Sequence, residues 1–208
     1  MKKSKKKKKR NTWKIKQHRD QFFKKSKTLG YRSRSAFKLI ELNKKYKFIK
    51  KNTKLLDIGG YPGGWAQVAS KIIKSGKILS IDIKKMDHLK NVSFLQCDFL
   101  EESSKEKILS FFDDKLDVVI SDMAANTSGN KSLDSIRTNQ LCAEVVEFSS
   151  KILKPNGVLV SKLFMGDDFL EVKELAKSRF KKVEFFKPEA SRNESRETYL
   201  HCVTLRTL

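Results

Sequence analysis

The sequence has no apolar stretch long enough to cross a membrane. Nowhere in its 208 residues is there the uninterrupted apolar run of about 18 residues that a spanning helix needs. The lysine-rich start is also not followed by the apolar segment of a secretory signal. We therefore expect a soluble, monomeric cytoplasmic protein with no membrane partner, or one of an organelle if the chain is eukaryotic.

The chain also lacks closely spaced cysteines. Its three cysteines, Cys97, Cys142 and Cys202, lie far apart, each on an apolar stretch. Structural zinc sites usually draw on pairs of cysteines two to four residues apart. We interpret the three as small buried hydrophobic residues and predict no metal site and no disulfide.

Acidic residues are almost absent from the first quarter of the chain. Residues 1–54 hold 23 Lys and Arg against only Asp20 and Glu41, a net charge of +21, which leaves +1 for the other 154 residues. A basic arm of this kind suits a polyanion, because Lys and Arg release counterions from phosphates. The alternative, for residues 1–10 alone, is a disordered tail or a targeting signal.

We predict three segments from these features. Residues 1–12 are a basic disordered tail, residues 13–54 a basic nucleic-acid-binding segment with a helix, and residues 55–208 a nearly neutral core. Aromatic rings are interleaved with the basic residues of the second segment and can anchor a helix or stack on bases.

The body of the chain alternates strand-like apolar runs with helical stretches, which indicates an α/β fold with a largely parallel sheet. The predicted strands cover residues 54–58, 77–83, 92–96, 116–121, 157–163, 182–186 and 198–205. The predicted helices cover residues 35–46, 65–74, 104–112, 132–153 and 169–180. No helix separates the last two strands, so the final strand is expected to return antiparallel.

A glycine-rich turn follows the first predicted strand, and it lacks the spacing of a dinucleotide-binding loop. Glycines stand at positions 59, 60, 63 and 64, with Pro62 inside the turn. The dinucleotide pattern needs glycines at its first, third and sixth positions. This disfavours a nicotinamide-dependent reductase, while Gly59 still permits close approach of a ligand to the backbone.

Carboxylates follow each of the first three strands. Asp57 ends the first, Asp82 the second and Asp98 the third. Ligands of open α/β sheets bind beyond the carboxyl ends of the strands. A single such Asp could cap a helix, but three beside a glycine turn favour an adenosine pocket, with Asp82 on the ribose hydroxyls and Asp98 on the adenine amino group.

The fifth strand carries a lysine, Lys162, where an apolar residue is expected, and the fourth ends at Asp122. Lysine is rarely buried without a partner. The two could form a structural ion pair, but an ammonium in a partly desolvated cleft can serve as a base. We favour catalysis.

Five motifs in this order resemble the FtsJ/RrmJ family of ribose 2′-O-methyltransferases. They cover residues 32–39, 62–65, 121–124, 161–164 and 191–197, within a resemblance that spans nearly everything after residue 12. The resemblance implies a Rossmann-like methyltransferase fold, S-adenosylmethionine as cofactor and a catalytic tetrad of Lys38, Asp122, Lys162 and Glu197. One departure is Gly60-Tyr61, where the family's loop has two alanines.

Further site residues follow from the resemblance and from the positions at strand ends together. Expected cofactor contacts are Gly59, Gly63, Trp65, Asp82, Asp98 and Asp122, and expected RNA contacts are Arg32, Arg34 and Lys38. Lys162 is the expected base, or it orients a lone pair of the ribose hydroxyl. Asp122 is expected to hold Lys162 and the hydroxyl, with Lys38 and Glu197 as orienting partners.

The implied reaction is 2′-O-methylation of RNA, with a uridine in the A loop of large-subunit ribosomal RNA as the expected target and the large ribosomal subunit as partner. The tRNA anticodon loop and the mRNA cap are alternative substrates. A noncatalytic RNA-binding assembly factor is the alternative from another class, although such a protein would have no need of Lys162 opposite Asp122.

Overall fold

The computed structural model describes residues 20–166 and 168–206. The predicted tail, residues 1–12, lies outside the described residues. Within them, no helix is both long and apolar enough to cross a membrane. The same residues hold no cluster of three or more His, Cys, Asp or Glu side chains that could bind a metal ion.

A seven-stranded sheet is the centre of the described chain. Its strands are Lys54–Ile58 (β1), Lys77–Asp82 (β2), Ser93–Gln96 (β3), Leu116–Ser121 (β4), Leu153–Phe164 (β5), Phe180–Phe186 (β6) and Glu197–Leu205 (β7). Their order is β3-β2-β1-β4-β5-β7-β6. The first five pair in parallel, while β7 lies between β5 and β6 and is antiparallel to both. This confirms the predicted fold class and the reversed final strand.

Helices cover both faces of the sheet. They are Gln21–Thr28 (α1), Ala36–Tyr46 (α2), Gly64–Ile72 (α3), Glu102–Phe111 (α4), Lys131–Ile152 (α5) and Phe169–Arg179 (α6). Helix α1 was not among the predicted helices. Its start is fixed by Asp20, whose carboxylate accepts hydrogen bonds from the amides of Phe22 at 3.0 Å and Phe23 at 3.1 Å.

Two apolar clusters, one on each face of the sheet, form the core. One contains buried residues of α4, α5 and α6, among them Ile108, Val145 and Ala176. The other joins α2 and α3 to the sheet and includes Leu39 of α2, a residue with no exposed surface, and Trp65 of α3. Helix α2 therefore belongs to the packed body, although it lies in the segment predicted to bind RNA.

The parallel strands bring their carboxyl ends to one edge. Ile58, the last residue of β1, is level with Ser121 of β4, and Ser121 is level with Ser161 of β5. Asp82, Asp122 and Lys162 consequently lie along the same edge of the sheet.

Candidate active site

The glycine turn leaves β1 and enters α3 through backbone conformations that favour glycine. Gly59 has a φ of +78°, and a Cβ atom there would lie 2.5 Å from Cγ of Met123. Its amide and that of Gly60 both donate to the carbonyl of Ile81, at 2.9 and 3.0 Å. The turn is thereby held against the end of β2, and the absence of a side chain at position 59 lets Met123 pack against the turn.

A cavity of about 340 Å³ lies beside this turn. Its lining includes Gly59, Asp82, Asp98 and Asp122, four of the residues predicted to contact a cofactor. The carboxylate of Asp82 accepts hydrogen bonds from the amides of Tyr61 at 3.0 Å and Lys84 at 2.8 Å. That of Asp98 accepts one from the amide of Leu100 at 2.9 Å. Each carboxylate oxygen has two acceptor sites, so both residues keep acceptors for a ligand.

Gly63 and Trp65 do not line this cavity. The indole of Trp65 is buried and donates to the carbonyl of Ser35 at 2.9 Å. Gly63 has a φ of +104° and lies against the Arg32 side chain. Contact of these two residues with a cofactor stays a prediction.

Asp57 lies beneath the turn, out of reach of solvent. Its Oδ2 accepts a hydrogen bond from the Ser80 hydroxyl at 2.9 Å. Burial raises the pKa of Asp57 to about 7, although the Ser80 hydroxyl favours the charged form. A Cβ at Gly60 would lie 2.8 Å from this carboxylate, so the turn is packed directly on Asp57.

Lys162 and Asp122 meet where β5 and β4 end. Lys162 Nζ lies 3.1 Å from Asp122 Oδ1 and donates to the Asp122 backbone carbonyl at 2.6 Å. The Lys162 side chain is 8% exposed. The lysine and aspartate that the sequence singled out thus form a nearly buried pair.

Lys38 and Glu197 complete the group of four. Lys38, on α2, places Nζ 2.7 Å from Glu197 Oε1 and 3.9 Å from Asp122 Oδ1. The Ser191 hydroxyl donates to Glu197 Oε1 at 2.7 Å. Lys38 and Asp122 are far apart in the chain, and the packing of α2 on the sheet brings them together here.

The charges around Asp122 determine its protonation. Burial alone would raise the pKa of Asp122, but the positive charges of Lys162 and Lys38, with hydrogen bonds from Tyr199 and Lys162, lower it below its ordinary value. Asp122 is therefore a carboxylate at neutral pH.

Two buried residues of this site were missed by sequence reasoning. The Tyr199 hydroxyl donates to Asp122 Oδ1 at 2.7 Å. Asn139 of α5 donates to the carbonyl of Phe164 at 3.0 Å and accepts from its amide at 2.8 Å, which holds the end of β5 just beyond Lys162. The signal for Tyr199 was the alternation of a strand, which puts it on the same face as Glu197.

The arginines predicted to bind RNA have partners within the protein. Arg32 donates to the carbonyls of Asp87 at 2.8 Å and His88 at 2.6 Å. Arg34 pairs with Asp20 and donates to the carbonyl of Ala190. Burial lowers the pKa of Arg34, and Asp20 opposes that change. Their contact with RNA stays a prediction.

Three features together define the structural class of the protein. They are a doubly wound sheet with a reversed final strand, a glycine turn after β1, and acidic residues at the ends of the next strands. The chain has the Rossmann-like fold of the S-adenosylmethionine-dependent methyltransferases.

Within that class, residues 31–205 match the FtsJ-like methyltransferase family, and the chain belongs to this family. The chain is 44% identical over 194 residues to the ribosomal RNA large subunit methyltransferase E of Pelagibacter ubique, a match covering 93% of this chain and 96% of that protein. Identity to the enzyme of the same name from Rickettsia akari is 45% over 194 residues, covering 90% of this chain and 86% of that one.

A solved structure supports the same assignment. A Plasmodium falciparum protein assigned as a ribosomal RNA methyltransferase is 35% identical and superposes with a TM-score of 0.76, covering 84% of this chain and 98% of that chain.

Proposed function

We propose that this protein transfers the methyl group of S-adenosylmethionine to a ribose 2′-hydroxyl of large-subunit ribosomal RNA, at a uridine of the A loop. The observation that carries the proposal is the group of Lys38, Asp122, Lys162 and Glu197, directly beside a cavity lined by strand-end carboxylates. The names of the relatives support ribosomal RNA of the large subunit as the substrate.

The residues of the cavity fit the proposed cofactor. Asp82 would accept the ribose hydroxyls and Asp98 the adenine amino group, because both carboxylates lie in the lining and keep free acceptor sites. Gly59 also lines the cavity, so a ligand bound there would lie against the backbone of the turn. When bound, S-adenosylmethionine supplies an electrophilic methyl group, whose bond to sulfur breaks as the bond to the ribose oxygen forms.

Lys162 would take the proton that the ribose hydroxyl loses. The Lys162 nitrogen has three bonding positions besides its bond to carbon. One points to the backbone carbonyl of Asp122 and one to Asp122 Oδ1, so the third is left for the ribose hydroxyl. A neutral amine presents a lone pair there and accepts the proton, which makes it an ammonium held by the Asp122 carboxylate. Lys38 and Glu197 hold this arrangement from the side of α2 and β7.

The proposal is tested by mapping methyl groups on RNA. Large ribosomal particles from cells without the gene are incubated with the purified protein and S-adenosylmethionine, and 2′-O-methyl nucleotides are located by mass spectrometry. We expect one new methyl group on an A-loop uridine. Transfer RNA and capped mRNA serve as parallel substrates, and methylation of either one instead would replace the substrate we propose.

Binding of RNA with no methyl transfer to any of these substrates would support the assembly-factor alternative. The four charged residues would then form a structural ion-pair network.

A further inference from the structure

Tyr199 is a fully buried tyrosine whose hydroxyl donates to Asp122, one of the four charged residues of the site. It lies on β7 directly opposite Lys162 of β5, so both side chains project from the same face of the sheet. The residue has no exposed surface. Its ring packs on Trp65, with centroids 5.6 Å apart, and Lys38 Nζ lies 5.7 Å from its centroid.

The hydroxyl of Tyr199 shares its acceptor with Lys162. Asp122 Oδ1 accepts from the Tyr199 hydroxyl at 2.7 Å and from Lys162 Nζ at 3.1 Å. Each donor draws negative charge from the same oxygen, so the tyrosine weakens the attraction between the carboxylate and the ammonium form of Lys162. The bond also fixes the carboxylate plane, because Oδ1 is held from the β7 side as well as from β5.

Tyr199 remains a donor over the whole useful pH range. Burial and the neighbouring charges of Asp122 and Glu197 raise the pKa of Tyr199 well above its ordinary value. The phenol therefore does not become a competing anion. The charged groups that face it are Lys38 from α2, Asp122 just after β4, Lys162 from β5 and Glu197 from β7 itself.

We infer that Tyr199 is a positioning residue for methyl transfer: it orients the Asp122 carboxylate and, by sharing Oδ1, lets Lys162 release a proton and accept the one from the ribose hydroxyl. This inference rests on the proposed function. Lys162 would first lose its own proton to solvent. The proton of the 2′-hydroxyl would then pass to Lys162 while the oxygen forms its bond to the methyl carbon and the bond from that carbon to sulfur breaks, so no further reactant is needed.

The test is the pH–rate profile of Tyr199→Phe, which removes one oxygen and keeps the ring. Single-turnover methyl transfer to large ribosomal particles is measured over about pH 6 to 10 with saturating S-adenosylmethionine. We expect a rate roughly 10-fold or more below wild type at neutral pH, the effect of losing a hydrogen bond to a charged group. The acidic limb of the profile should move to higher pH, so that alkaline pH restores most of the rate.

Tyr46→Phe is the matched control. This variant also removes one tyrosine hydroxyl, but at the end of α2, where the Tyr46 ring stacks on His201 with a centroid distance of 3.7 Å. Its profile should coincide with that of the wild type, and both variants should bind S-adenosylhomocysteine as the wild type does.

Several results would overturn the inference. An unchanged rate in Tyr199→Phe, or a fall by the same factor at every pH, would show that the hydroxyl does not affect proton transfer. A wild type that transfers no methyl group would overturn the proposed function first and this inference with it, so the wild-type measurement distinguishes the two failures.

A second variant covers the case that Tyr199→Phe does not fold. The chain has four tyrosines, and in a protein with Phe at 31, 46 and 61 the remaining tyrosine can be replaced biosynthetically by 3-fluorotyrosine. Its more acidic hydroxyl is a stronger donor, so the acidic limb should move to lower pH. A limb that does not move, or moves to higher pH, would contradict the inference.

Discussion

Asp122 is the residue on which the contacts of the site converge. Lys162 reaches it from β5, Tyr199 from β7 and Lys38 from α2. Such a carboxylate is ionised and fixed before any ligand arrives, so that reorganisation during the reaction is small. The cofactor side of the site is more open, and its acceptors belong to residues at the rim.

Asp82 provides the first residue-scale prediction. Asp82→Ala should weaken binding of S-adenosylhomocysteine by about 1.5 to 3 kcal/mol, because hydrogen bonds from ribose hydroxyls to a charged acceptor are lost. Titration calorimetry measures this. Asp113→Ala is the control, since Asp113 is an exposed residue paired with Lys77. Equal affinities of the Asp82 variant and wild type would remove Asp82 from the cofactor site.

His201 provides a prediction on stability. Burial lowers the pKa of His201 from 6.5 to about 4, although the charge of Glu184 acts in the opposite direction. The unfolded chain therefore binds a proton near pH 6.5 that the folded protein does not bind until about pH 4. The neutral His201 side chain therefore contributes roughly 3 kcal/mol to the free energy of unfolding. This contribution is complete above the pKa of His201 in the unfolded chain and is lost as the pH falls towards its pKa in the folded protein.

Urea unfolding between about pH 4 and pH 7 gives the free energy of unfolding of wild type and of His201→Phe, which keeps a ring against Tyr46. The difference between their pH dependences measures the effect of His201. The raised pKa of Asp57 has the opposite effect on stability over the same range, but it is common to both proteins and cancels. His88→Gln, at an exposed residue, is the control. Parallel pH dependences of wild type and the His201 variant would contradict the prediction.

At the scale of elements, α2 holds the loop of residues 187–196 that leads into β7. Glu41 of α2 accepts hydrogen bonds from the amides of Glu189 at 2.6 Å and Ala190 at 3.0 Å. The same loop carries Ser191, which donates to Glu197. The position of Glu197 therefore depends on a carboxylate on another element.

Glu41→Ala should loosen this loop and slow methyl transfer, with a loss of about 1 to 2 kcal/mol in stability, since two hydrogen bonds to a partly exposed carboxylate are removed. Hydrogen exchange at the amides of Glu189 and Ala190 should accelerate. Glu101→Ala is the control, because Glu101 makes no capping hydrogen bond at the start of α4. Unchanged exchange at these amides would show that the loop is held by other contacts.

The elements differ in how well the sequence predicted them. The strands were predicted because apolar runs of suitable length stand between turn residues, and their bounds agree to within about four residues. Strand β5 begins earlier than predicted, at Leu153, because it follows α5 directly and pairs with Leu116 through an irregular register. Helix α1 has only eight residues, so apolar periodicity could not identify it.

The same limit applies to the candidate site. Lys162 stood out because a lysine is unusual in a buried strand, and Asp122 because it ends the neighbouring predicted strand, while the family motifs added Lys38 and Glu197. The hydrogen bond of Arg34 to Ala190 joins residues 156 positions apart, and that of Tyr199 to Asp122 joins residues 77 positions apart. Contacts of this kind depend on the packing of whole elements, which no local pattern contains.

At the scale of the molecule, the uneven charge predicts how RNA affinity depends on salt. Lys24, Lys25 and Lys27 of α1 are exposed, and α1 lies against the helix that carries Lys38, since Lys25 Nζ is 5.2 Å from the ring centroid of Phe37 of α2. Replacing the three by Gln should flatten the log–log dependence of affinity on salt by about 0.7 for each phosphate that the variant no longer binds. Titration of large ribosomal particles at several salt concentrations measures the slope.

A matched variant separates position from charge. Lys177, Lys181 and Lys182 lie at the end of α6 and the start of β6, at the opposite edge of the sheet from the site, so their replacement by Gln should leave the slope unchanged. Equal slopes for the α1 variant and wild type would remove α1 from the RNA-binding surface.

The most direct test of the proposed chemistry is single-turnover methyl transfer by Lys162→Ala with saturating large ribosomal particles, combined with calorimetry of S-adenosylhomocysteine binding. We predict a rate at least about 100-fold below wild type, the lower bound for a general base, with cofactor affinity and unfolding temperature close to wild type. A variant that transfers the methyl group at nearly the wild-type rate would contradict this prediction and reduce Lys162 and Asp122 to a structural ion pair.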